Sequence, residues 1–591
     1  MSDRHTTRRR MLQGLAVGAA GLAAGRAGAQ EQSAPQSVPG VLGAESPAAE
    51  AAAISPDTIA NAERLFAVRY TDEERAMMVE EIDQWIDRMV RLRQVDKPNT
   101  LAPASIFDPR LPGIAYREQG NTVTLSGRAA GSLPGNDIGI AFAPVWKQAE
   151  WIRTGQLTSR RLTDIYLARV AQHGPRLECF VTVTADIARR EADAADAEIA
   201  AGRYRGPLHG IPYGMKDIID VAGVRGTWGA TPWRDRIAEH DAVVTTRLRE
   251  AGAVLLGKTT NGAIAYGDRW FGGITRNPFN TDEGSSGSSA GSASATAAGL
   301  VGFGIGTETL GSIVSPSHRC GTTGLRPTFG RVPREGAMAL CWSLDKVGPL
   351  CRSAEDTAFV LGAINGHNPT EPGSLGHGFD CHAGRDVRGM RVGYNPEWFE
   401  NAADPDRAAL QAARDAGAEL VEVAMPDLPY DALFAVVEAE SAAAFEQLTL
   451  TNEDDSLVWQ APQAWPNTWR RARFISAVDM VNVDRLRRQV MTAAHDMFSN
   501  VDAVIGPNFA GAMLVITNFT GHPCLAFRSG FISQRTRTIF GSTANEDATE
   551  YRVPYASTLW GPLFEEGNLV ALGRAIEERL GVADERPEAF A

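Results

Sequence analysis

Cysteine is scarce in this chain, which has 6 cysteines among 591 residues and no C-x-x-C pair. The cysteines are spread over hundreds of residues, which is not the spacing of a disulfide scaffold, so we expect buried free thiols. The sequence also lacks an H-E-x-x-H motif and a carboxylate-rich calcium loop. The sequence therefore gives no reason to expect a metal site, and chemistry that needs no cofactor is the simpler interpretation.

Positive charge is in deficit, with 58 Lys and Arg against 71 Asp and Glu and a formal net charge of -13. Residues 1–29 carry five arginines and one aspartate, so the rest of the chain is near -17. Such a charge repels nucleic acids and anionic membrane surfaces, so neither is an expected partner. With 44% hydrophobic residues, a chain of this length can bury a large core.

The N-terminus has the pattern of an export signal. Residues 7–13 read Thr-Arg-Arg-Arg-Met-Leu-Gln, which fits a twin-arginine signal, and residues 11–25 form a mildly apolar stretch. That stretch is too short to span a bilayer permanently. Residues 27–29, Ala-Gly-Ala, fit a cleavage site. We expect a signal peptide over 1–29, no stable membrane anchor after processing, and a bacterial periplasmic or secreted location. A disordered basic tail is the alternative.

A linker and a helical extension are expected next. Residues 30–55 are rich in Ala, Pro, Ser, Glu and Gly, which is typical of a flexible linker. Within the extension, 56–136, Pro56 suits a first helical position and Thr71 to Glu74 form a capping box. Apolar residues on one helical face then follow, at Ile82, Trp85, Ile86, Met89 and Val90. This stripe is interpreted as packing onto the core; a lid or a homodimer surface is the alternative.

From residue 137 to 591 the pattern is that of an α/β catalytic domain. Helical and strand-like segments alternate, as in residues 242–251 followed by 253–257, which predicts a large sheet flanked by helices. The alanine-rich run 292–298 ends at Gly299, which is typical of a helix and its C-cap. Near the end, a helical stripe follows Gly561 and Pro562, at Leu569, Leu572, Ile576 and Leu580.

Two glycine-flanked serines and an embedded lysine point to acyl transfer. Ser288 and Ser312 lie 24 residues apart, downstream of Lys216 in an apolar context. A serine hydroxyl needs a base to become a nucleophile, and lysine can be that base only when neutral. The pKa of lysine is ordinarily about 10.4, so a base near pH 7 to 8 needs a lowering of roughly 3 units, which burial can supply. A lone lysine more often extends its ammonium to water.

These residues resemble the amidase signature hydrolases, which use a Ser-Ser-Lys triad. The resemblance covers roughly residues 137 to 580 and rests on several motifs in order, at 206–212, 257–260, 276–278 and 324–328. It implies that Ser312 is the nucleophile, that Ser288 is a bridging serine on a cis peptide, and that Lys216 is the base. It also implies an oxyanion hole made by backbone N–H groups, those of Thr309, Leu310, Gly311 and Ser312. Glycine at 311 lets the chain turn these groups toward one point.

Two positions depart from the common family pattern. Where many members read Asp-x-Gly-Gly-Ser, this chain has Glu308 and Leu310, so the carboxylate is kept but the space over the oxyanion loop is narrower. Many members also carry an arginine two residues after the nucleophile, where this chain has Val314. This chain therefore has no arginine at position 314 to bind an acidic substrate.

A competing motif lies in the same loop. Residues 287–291, Gly-Ser-Ser-Ala-Gly, satisfy the G-x-S-x-G pattern of an α/β-hydrolase nucleophile elbow, with Ser289 as nucleophile. An elbow needs a preceding strand, but residues 280–286 are turn formers without alternation. It also needs a later histidine and acid, and none of the histidines after Ser289 has a distinctive context. The elbow is the weaker interpretation.

The predicted function is hydrolysis of the carbon–nitrogen bond of a small-molecule amide, giving an acid and ammonia or an amine. Ester or carbamate hydrolysis by the same triad is an alternative, and so is a non-catalytic binding protein or subunit that retains the fold. The export signal argues against the family's cytoplasmic tRNA-dependent amidotransferase subunit. In the resembled family the region matching about 425–500 shapes the substrate entrance. Its tryptophans, Trp459, Trp465 and Trp469, favour a bulky apolar or aryl amide or are ordinary packing residues.

Overall fold

The computed structural model describes residues 54–539, 541–544 and 547–591. The predicted signal peptide and most of the predicted linker lie outside the described residues. Residues 54–61 and 70–94 belong to one compact unit, and residues 62–69 with the described chain from 95 onward form a second, much larger one. Residues 95–136, which we assigned to the helical extension, belong to the larger unit.

Helices and strands alternate along the chain. The α-helices are α1 (Pro56–Phe66), α2 (Asp72–Arg93), α3 (Asp137–Phe142), α4 (Val145–Arg153), α5 (Ser159–Leu177), α6 (Ala185–Ala200), α7 (Val243–Glu250), α8 (Ala290–Ala297), α9 (Val314–Cys320), α10 (Ala354–Ile364), α11 (Glu397–Glu400), α12 (Asp404–Asp415), α13 (Phe434–Ala444), α14 (Glu446–Leu450), α15 (Trp465–Ala472), α16 (Ala477–Phe498), α17 (Met513–Phe519) and α18 (Glu566–Leu580). The strands are β1 (Val123–Thr124), β2 (Phe180–Val183), β3 (Pro212–Lys216), β4 (Val254–Thr259), β5 (Arg269–Trp270), β6 (Gly273–Ile274), β7 (Arg276–Asn277), β8 (Asn280–Gly284), β9 (Phe303–Glu308), β10 (Thr323–Arg326), β11 (Lys346–Cys351), β12 (Cys381–His382), β13 (Arg391–Tyr394), β14 (Glu419–Glu422), β15 (Ala503–Pro507), β16 (Cys524–Arg535) and β17 (Glu550–Trp560).

The central element is an eleven-stranded mixed sheet in the order β14-β13-β15-β17-β16-β10-β11-β9-β3-β4-β2. Strand β3 runs parallel to both β4 and β9, whereas β9 and β11 are antiparallel. Strands β3, β9 and β11 are buried along their whole length, so both of their faces are covered. This is the mixed sheet flanked by helices that the sequence predicted.

The N-terminal helices begin where their caps predicted. Pro56 is the first residue of α1, and α2 begins after a capping box in which Thr71 and Glu74 satisfy each other's backbone N–H groups. Of the predicted stripe on α2, Val90 is buried but Trp85 is 57% exposed. After α2 the chain has no helix until α3, so residues 94–136 are not helical.

Predicted elements of the core are confirmed. Helix α7 leads into β4, and the alanine-rich segment forms α8, followed by Gly299 with a φ of +64°. The C-terminal stripe lies on α18, where Leu569, Leu572 and Ile576 are fully buried. One local prediction was wrong: within the segment predicted as turns, residues 280–284 form strand β8, paired with β7.

All six cysteines are buried and free. In the part of the chain that the structure describes, no helix combines the length and apolarity needed to cross a membrane. The described residues also contain no group of three His, Cys, Asp or Glu side chains placed to hold a metal ion.

Candidate active site

Lys216 ends strand β3 and is fully buried. Its Nζ donates hydrogen bonds to Ser288 Oγ at 2.8 Å and to Thr307 Oγ1 at 2.7 Å. Longer contacts join it to Ser289 Oγ at 3.2 Å and to the Thr307 carbonyl at 3.4 Å. The end of one buried strand thus brings the lysine to the serine-rich loop and to the neighbouring strand β9.

Burial lowers the pKa of Lys216 to about 7, and the nearby carboxylates of Asp345 and Glu308 oppose the shift. An ammonium removed from water loses its solvation, and here the hydrogen bonds of Lys216 Nζ are made to neutral hydroxyl and carbonyl groups. The lysine therefore has a substantial neutral fraction near pH 7. In that state its lone pair can accept a proton from Ser288. This meets the condition set out in the sequence analysis, that the lysine must be neutral to act as a base.

The serine-rich loop leaves β8 and enters helix α8 at Ser289. The peptide bond between Gly287 and Ser288 is cis, the geometry that the family resemblance implied at Ser288. A backbone hydrogen bond from Ser289 N to Ser312 O, at 3.1 Å, joins this loop to the predicted nucleophile. The two serines that are 24 residues apart in sequence therefore lie in adjacent loops.

Ser289 is held by the backbone of β9. Its Oγ donates to the Thr307 carbonyl and accepts from the Thr307 amide, each at 3.1 Å. Within the described residues its hydroxyl has no hydrogen bond to a histidine, which a nucleophile elbow would require. Glycine in β9 permits the close approach, since a Cβ on Gly306 would lie 2.6 Å from Ser289 Oγ.

The predicted oxyanion loop follows β9. Among the described residues, the backbone N–H groups of Thr309, Leu310, Gly311 and Ser312 donate no hydrogen bond. Gly311 has a φ of +92°, a left-handed conformation that glycine adopts without steric cost. Four consecutive free donors beside the predicted nucleophile are the feature that a developing oxyanion needs.

Glu308 anchors the far side of this loop. Its Oε2 accepts hydrogen bonds from Ile313 N at 2.8 Å and Val314 N at 3.0 Å. Its Oε1 accepts from Arg326 at 2.7 Å and Asn518 at 2.9 Å. These donors and the Arg326 charge lower the pKa of Glu308 to about 2 despite its burial, so the carboxylate stays ionised.

The hydroxyls of Ser288 and Ser312 are not in hydrogen-bond contact in this structure. Ser312 is 9% exposed, and no hydrogen bond joins the two hydroxyls. Hydrogen bonds of catalytic groups are often long without substrate and shorten when the complex forms. The structure thus brings Lys216 and Ser288 into contact and places Ser312 in the adjacent loop.

Sequence reasoning missed the roles of Arg326, Asn518 and Asp345. Arg326 lies in the 324–328 motif, but its pairing with Glu308 could not be deduced from motif spacing. Asn518 reaches Glu308 from a helix more than two hundred residues away in sequence. Asp345 accepts a hydrogen bond from Thr309 Oγ1 at 2.5 Å. No local motif signalled these contacts, because strand register and helix packing create them.

A cavity of about 750 Å³ reaches the site at Thr307 and Thr309. Apolar side chains form much of its wall, including Ile218, Ala265, Met338, Leu340 and Trp342. Charged residues also line it, including Asp220, Arg236, Glu239 and Glu335. The cavity is large enough for a substrate of drug-like size.

The three tryptophans singled out in the sequence do not line this cavity. Trp469 is 1% exposed and stacks on Trp465, with ring centroids 5.7 Å apart. Trp465 Nε1 donates to the Ile264 carbonyl at 2.8 Å, and Trp459 packs against Tyr266. They form an aromatic cluster that supports the 263–266 segment, so packing explains Trp469, the most buried of the three.

Comparisons with known proteins agree with the fold. A sequence model of the Amidase family matches residues 161–526, more than half of the chain. Two curated relatives are subunits of Glutamyl-tRNA(Gln) amidotransferase: one from Halorhodospira halophila (strain DSM 244 / SL1), 42% identical over 306 residues, and one from Roseiflexus sp. (strain RS-1), 39% identical over 307 residues. These alignments cover 49% and 50% of this chain and 63% of each relative, so the chain spans less than two thirds of their length.

Comparison with solved structures matches a larger part of the chain than these sequence alignments do. The native peptide amidase from Stenotrophomonas maltophilia is 28% identical with a TM-score of 0.62, over 74% of this chain and 97% of that protein. The chain therefore belongs to the Amidase family, the amidase signature enzymes that its serine and lysine motifs indicated.

Proposed function

We propose that this protein hydrolyses the carbon–nitrogen bond of small-molecule amides. The observation that carries the proposal is the fully buried Lys216, bonded to Ser288 at 2.8 Å and with its pKa lowered to about 7. A lysine in this state is suited to accept a proton from a serine relay. Family membership and the free N–H groups of residues 309–312 support the same chemistry.

The proposed reaction has two halves. Ser312 Oγ attacks the amide carbonyl while its proton passes through Ser288 to Lys216, and the oxyanion is stabilised by the N–H groups of residues 309–312. The same relay returns the proton to the departing nitrogen as the carbon–nitrogen bond breaks. Water then attacks the acyl-enzyme and gives a proton to the relay, which returns it to Ser312 Oγ as the bond between Ser312 and the acyl group breaks and the acid is released.

The 750 Å³ cavity is the proposed place for the apolar part of the substrate. Its wall of Met338, Leu340 and Trp342 lies beside Thr309 at the start of the oxyanion loop. This favours aryl or bulky apolar amides over short aliphatic ones, because burying apolar surface contributes about 25 cal/mol per Å². A panel of anilides and aliphatic amides tests the idea, with Trp342→Ala expected to weaken only the bulky substrates. Turnover of short amides alone would contradict it.

Active-site labelling tests the chemistry directly. We expect a fluorophosphonate to label Ser312 and the label to be lost in Ser312→Ala. Ser289→Ala is the matched control, because Ser289 is a neighbouring buried serine that also contacts Lys216. Labelling at Ser289 instead of Ser312 would overturn the proposed roles and favour the elbow mechanism.

Two alternatives use the same fold. Esters are more reactive acyl donors than amides, and carbamates offer the same kind of carbonyl to the nucleophile, so both belong in the substrate panel. A role within a larger complex is suggested by the curated relatives, which are named as subunits of glutamyl-tRNA(Gln) amidotransferase. Amide turnover by the isolated chain argues for the proposed hydrolase, whereas turnover that appears only with added partner proteins favours the role within a complex.

The location and oligomeric state belong to the same proposal. The twin-arginine pattern at residues 7–13 supports export to the bacterial periplasm or beyond. Changing Arg8 and Arg9 to lysine is expected to leave the protein in the cytoplasm, and unchanged export would contradict the proposal. Light scattering of the purified protein tests for the homodimer, and the mass of a monomer would contradict it.

A further inference from the structure

The start of the oxyanion loop lies opposite a second carboxylate. Strands β9 and β11 pair antiparallel with Glu308 opposite Lys346. Thr309 directly follows β9 and Asp345 directly precedes β11, so the register places these two side by side at the end of the paired strands. Their position is therefore set by the sheet rather than by a mobile loop.

A short hydrogen bond joins the two side chains. Thr309 Oγ1 donates to Asp345 Oδ1 at 2.5 Å, and both residues are at most 9% exposed. The other oxygen, Asp345 Oδ2, accepts from Leu340 N at 2.8 Å and Cys341 N at 3.0 Å. Because the turn before β11 holds the carboxylate on one side, Asp345 is a fixed acceptor for the Thr309 hydroxyl. Hydrogen bonds to an ionised acceptor are the stronger class.

The loop is thus held at both ends by carboxylates. Asp345 binds the side chain of its first residue, and Glu308 binds the Ile313 and Val314 amides just beyond its last. Between these anchors lie the backbone N–H groups of residues 309–312, which donate no hydrogen bond among the described residues. Because these N–H groups have no such partners, their direction depends on the two anchors and on the hydrogen bonds that the Gly311 and Ser312 carbonyls accept from Ser315 N and Ser289 N.

We propose that Asp345 is a positioning residue, which acts through the Thr309 hydroxyl to aim the oxyanion-hole N–H groups at the reacting carbonyl. This inference rests on the proposed function. Thr309 and Asp345 also line the cavity proposed for the substrate, so the separate effects on kcat and KM distinguish positioning from substrate binding. Preorganised donors stabilise the transition state more than the bound substrate, so the effect belongs in kcat rather than in KM.

A double-mutant cycle tests the proposal. Loss of one oxyanion-hole donor typically costs about 100-fold or more in kcat, so a misaimed loop is expected to cost roughly 10-fold. Thr309→Val, which removes the hydroxyl at nearly constant shape, should lower kcat by this amount with KM within twofold. Thr309→Ser should recover most of the rate. Asp345→Asn and the double variant should have similar kcat values, because Asp345→Asn alone already disrupts the bond between Thr309 and Asp345.

Thr163→Val is the matched control, since the buried Thr163 hydroxyl has no hydrogen-bond partner among the described residues. It should leave kcat unchanged. The inference is overturned if Thr309→Val keeps the wild-type kcat, or if its loss adds in full to that of Asp345→Asn. Failure of the proposed function looks different, because the wild-type protein itself would then not be labelled at Ser312 and would turn over no amide.

Discussion

At the scale of single residues, the state of Lys216 decides the chemistry. Its pKa of about 7 follows from complete burial, and the carboxylates of Asp345 and Glu308 limit the lowering. The lysine must be neutral to accept the serine proton. We therefore expect kcat/KM to rise with pH through about 7, falling tenfold per unit below that value and levelling off above it. A pH–rate profile checks this, and a rise centred near pH 10 would contradict it.

The same residue makes folding stability depend on pH. The folded-state pKa of Lys216 is about 7 and its ordinary value is 10.5, so the unfolded chain binds more protons between these values. Stability of the wild-type protein therefore rises with pH across this window, and below about pH 7 the cost of the buried charge is fully present. Lys216→Met is expected to abolish activity yet stabilise the fold, by up to about 5 kcal/mol below pH 7, with a gain that shrinks toward pH 10.

Urea unfolding at pH 6, 8 and 9.5 measures this dependence. Lys346→Met is the matched control, because Lys346 is also buried with its pKa lowered to about 7. Its Nζ donates to the Leu344 carbonyl and, among the described residues, has no hydrogen bond to either serine. It should change stability in the same direction while Ser312 labelling persists. A Lys216→Met protein that is less stable than wild type at pH 6 would contradict the account.

The adjacent residues Ser288 and Ser289 have different expected roles, proton transfer for Ser288 and structural support for Ser289. Both contact Lys216, but only Ser289 also bonds the backbone of Thr307. Ser288→Ala is expected to lower kcat by at least 100-fold at nearly unchanged stability, by analogy with the loss of other essential catalytic groups. Ser289→Ala should instead cost about 1 kcal/mol of stability, because it removes the hydrogen bonds that the Ser289 hydroxyl makes with the backbone of Thr307. Equal kinetic losses in both variants would contradict this division.

At the scale of elements, the site depends on how closely α8 approaches β9. A Cβ on Gly304 would lie 2.9 Å from Ser292 in α8, closer than real contacts allow. Gly304→Ala is therefore expected to destabilise the protein by about 1–3 kcal/mol and to reduce activity by displacing Ser288 and Ser289 from Lys216. Denaturant unfolding and Ser312 labelling measure both effects.

Gly135→Ala provides the control for this prediction, because a Cβ at that position meets no atom within 4 Å. It should leave stability and labelling nearly unchanged. If Gly304→Ala behaves like Gly135→Ala, the helix is not constrained by the strand as described.

Sequence patterns predicted the helices and strands better than they predicted the contacts between them. The cap at Thr71, the end of α8 at Gly299 and the stripe on α18 are visible because they depend on neighbours within a few residues. Strand β8 was missed because its partner strand among the described residues is the two-residue β7, so hydrophobic alternation did not mark it. Short hairpins of polar residues carry little signal of this kind.

At the scale of the whole molecule, burial predicts the behaviour of the thiols. All six cysteines are buried and free, and burial raises the pKa of Cys179 and Cys524 to about 12. A thiol reagent should therefore modify none of them in the native protein, and all six after denaturation without a reductant. Fewer than six reactive thiols in denaturant would reveal disulfides, and fast native labelling would show that the core opens locally.

The amino-acid sequence alone determined the family, the order of the triad residues and the boundaries of a few helices, among them the starts of α1 and α2 and the end of α8. These follow from motif spacing, caps and periodicity, which are local properties of the sequence. Only the tertiary structure decided that Arg326 and Asn518 hold Glu308, that Asp345 meets Thr309, and which side chains line the cavity. These contacts join residues from 18 to 210 positions apart. They depend on strand register and on the packing of helices against the sheet, which no local pattern encodes.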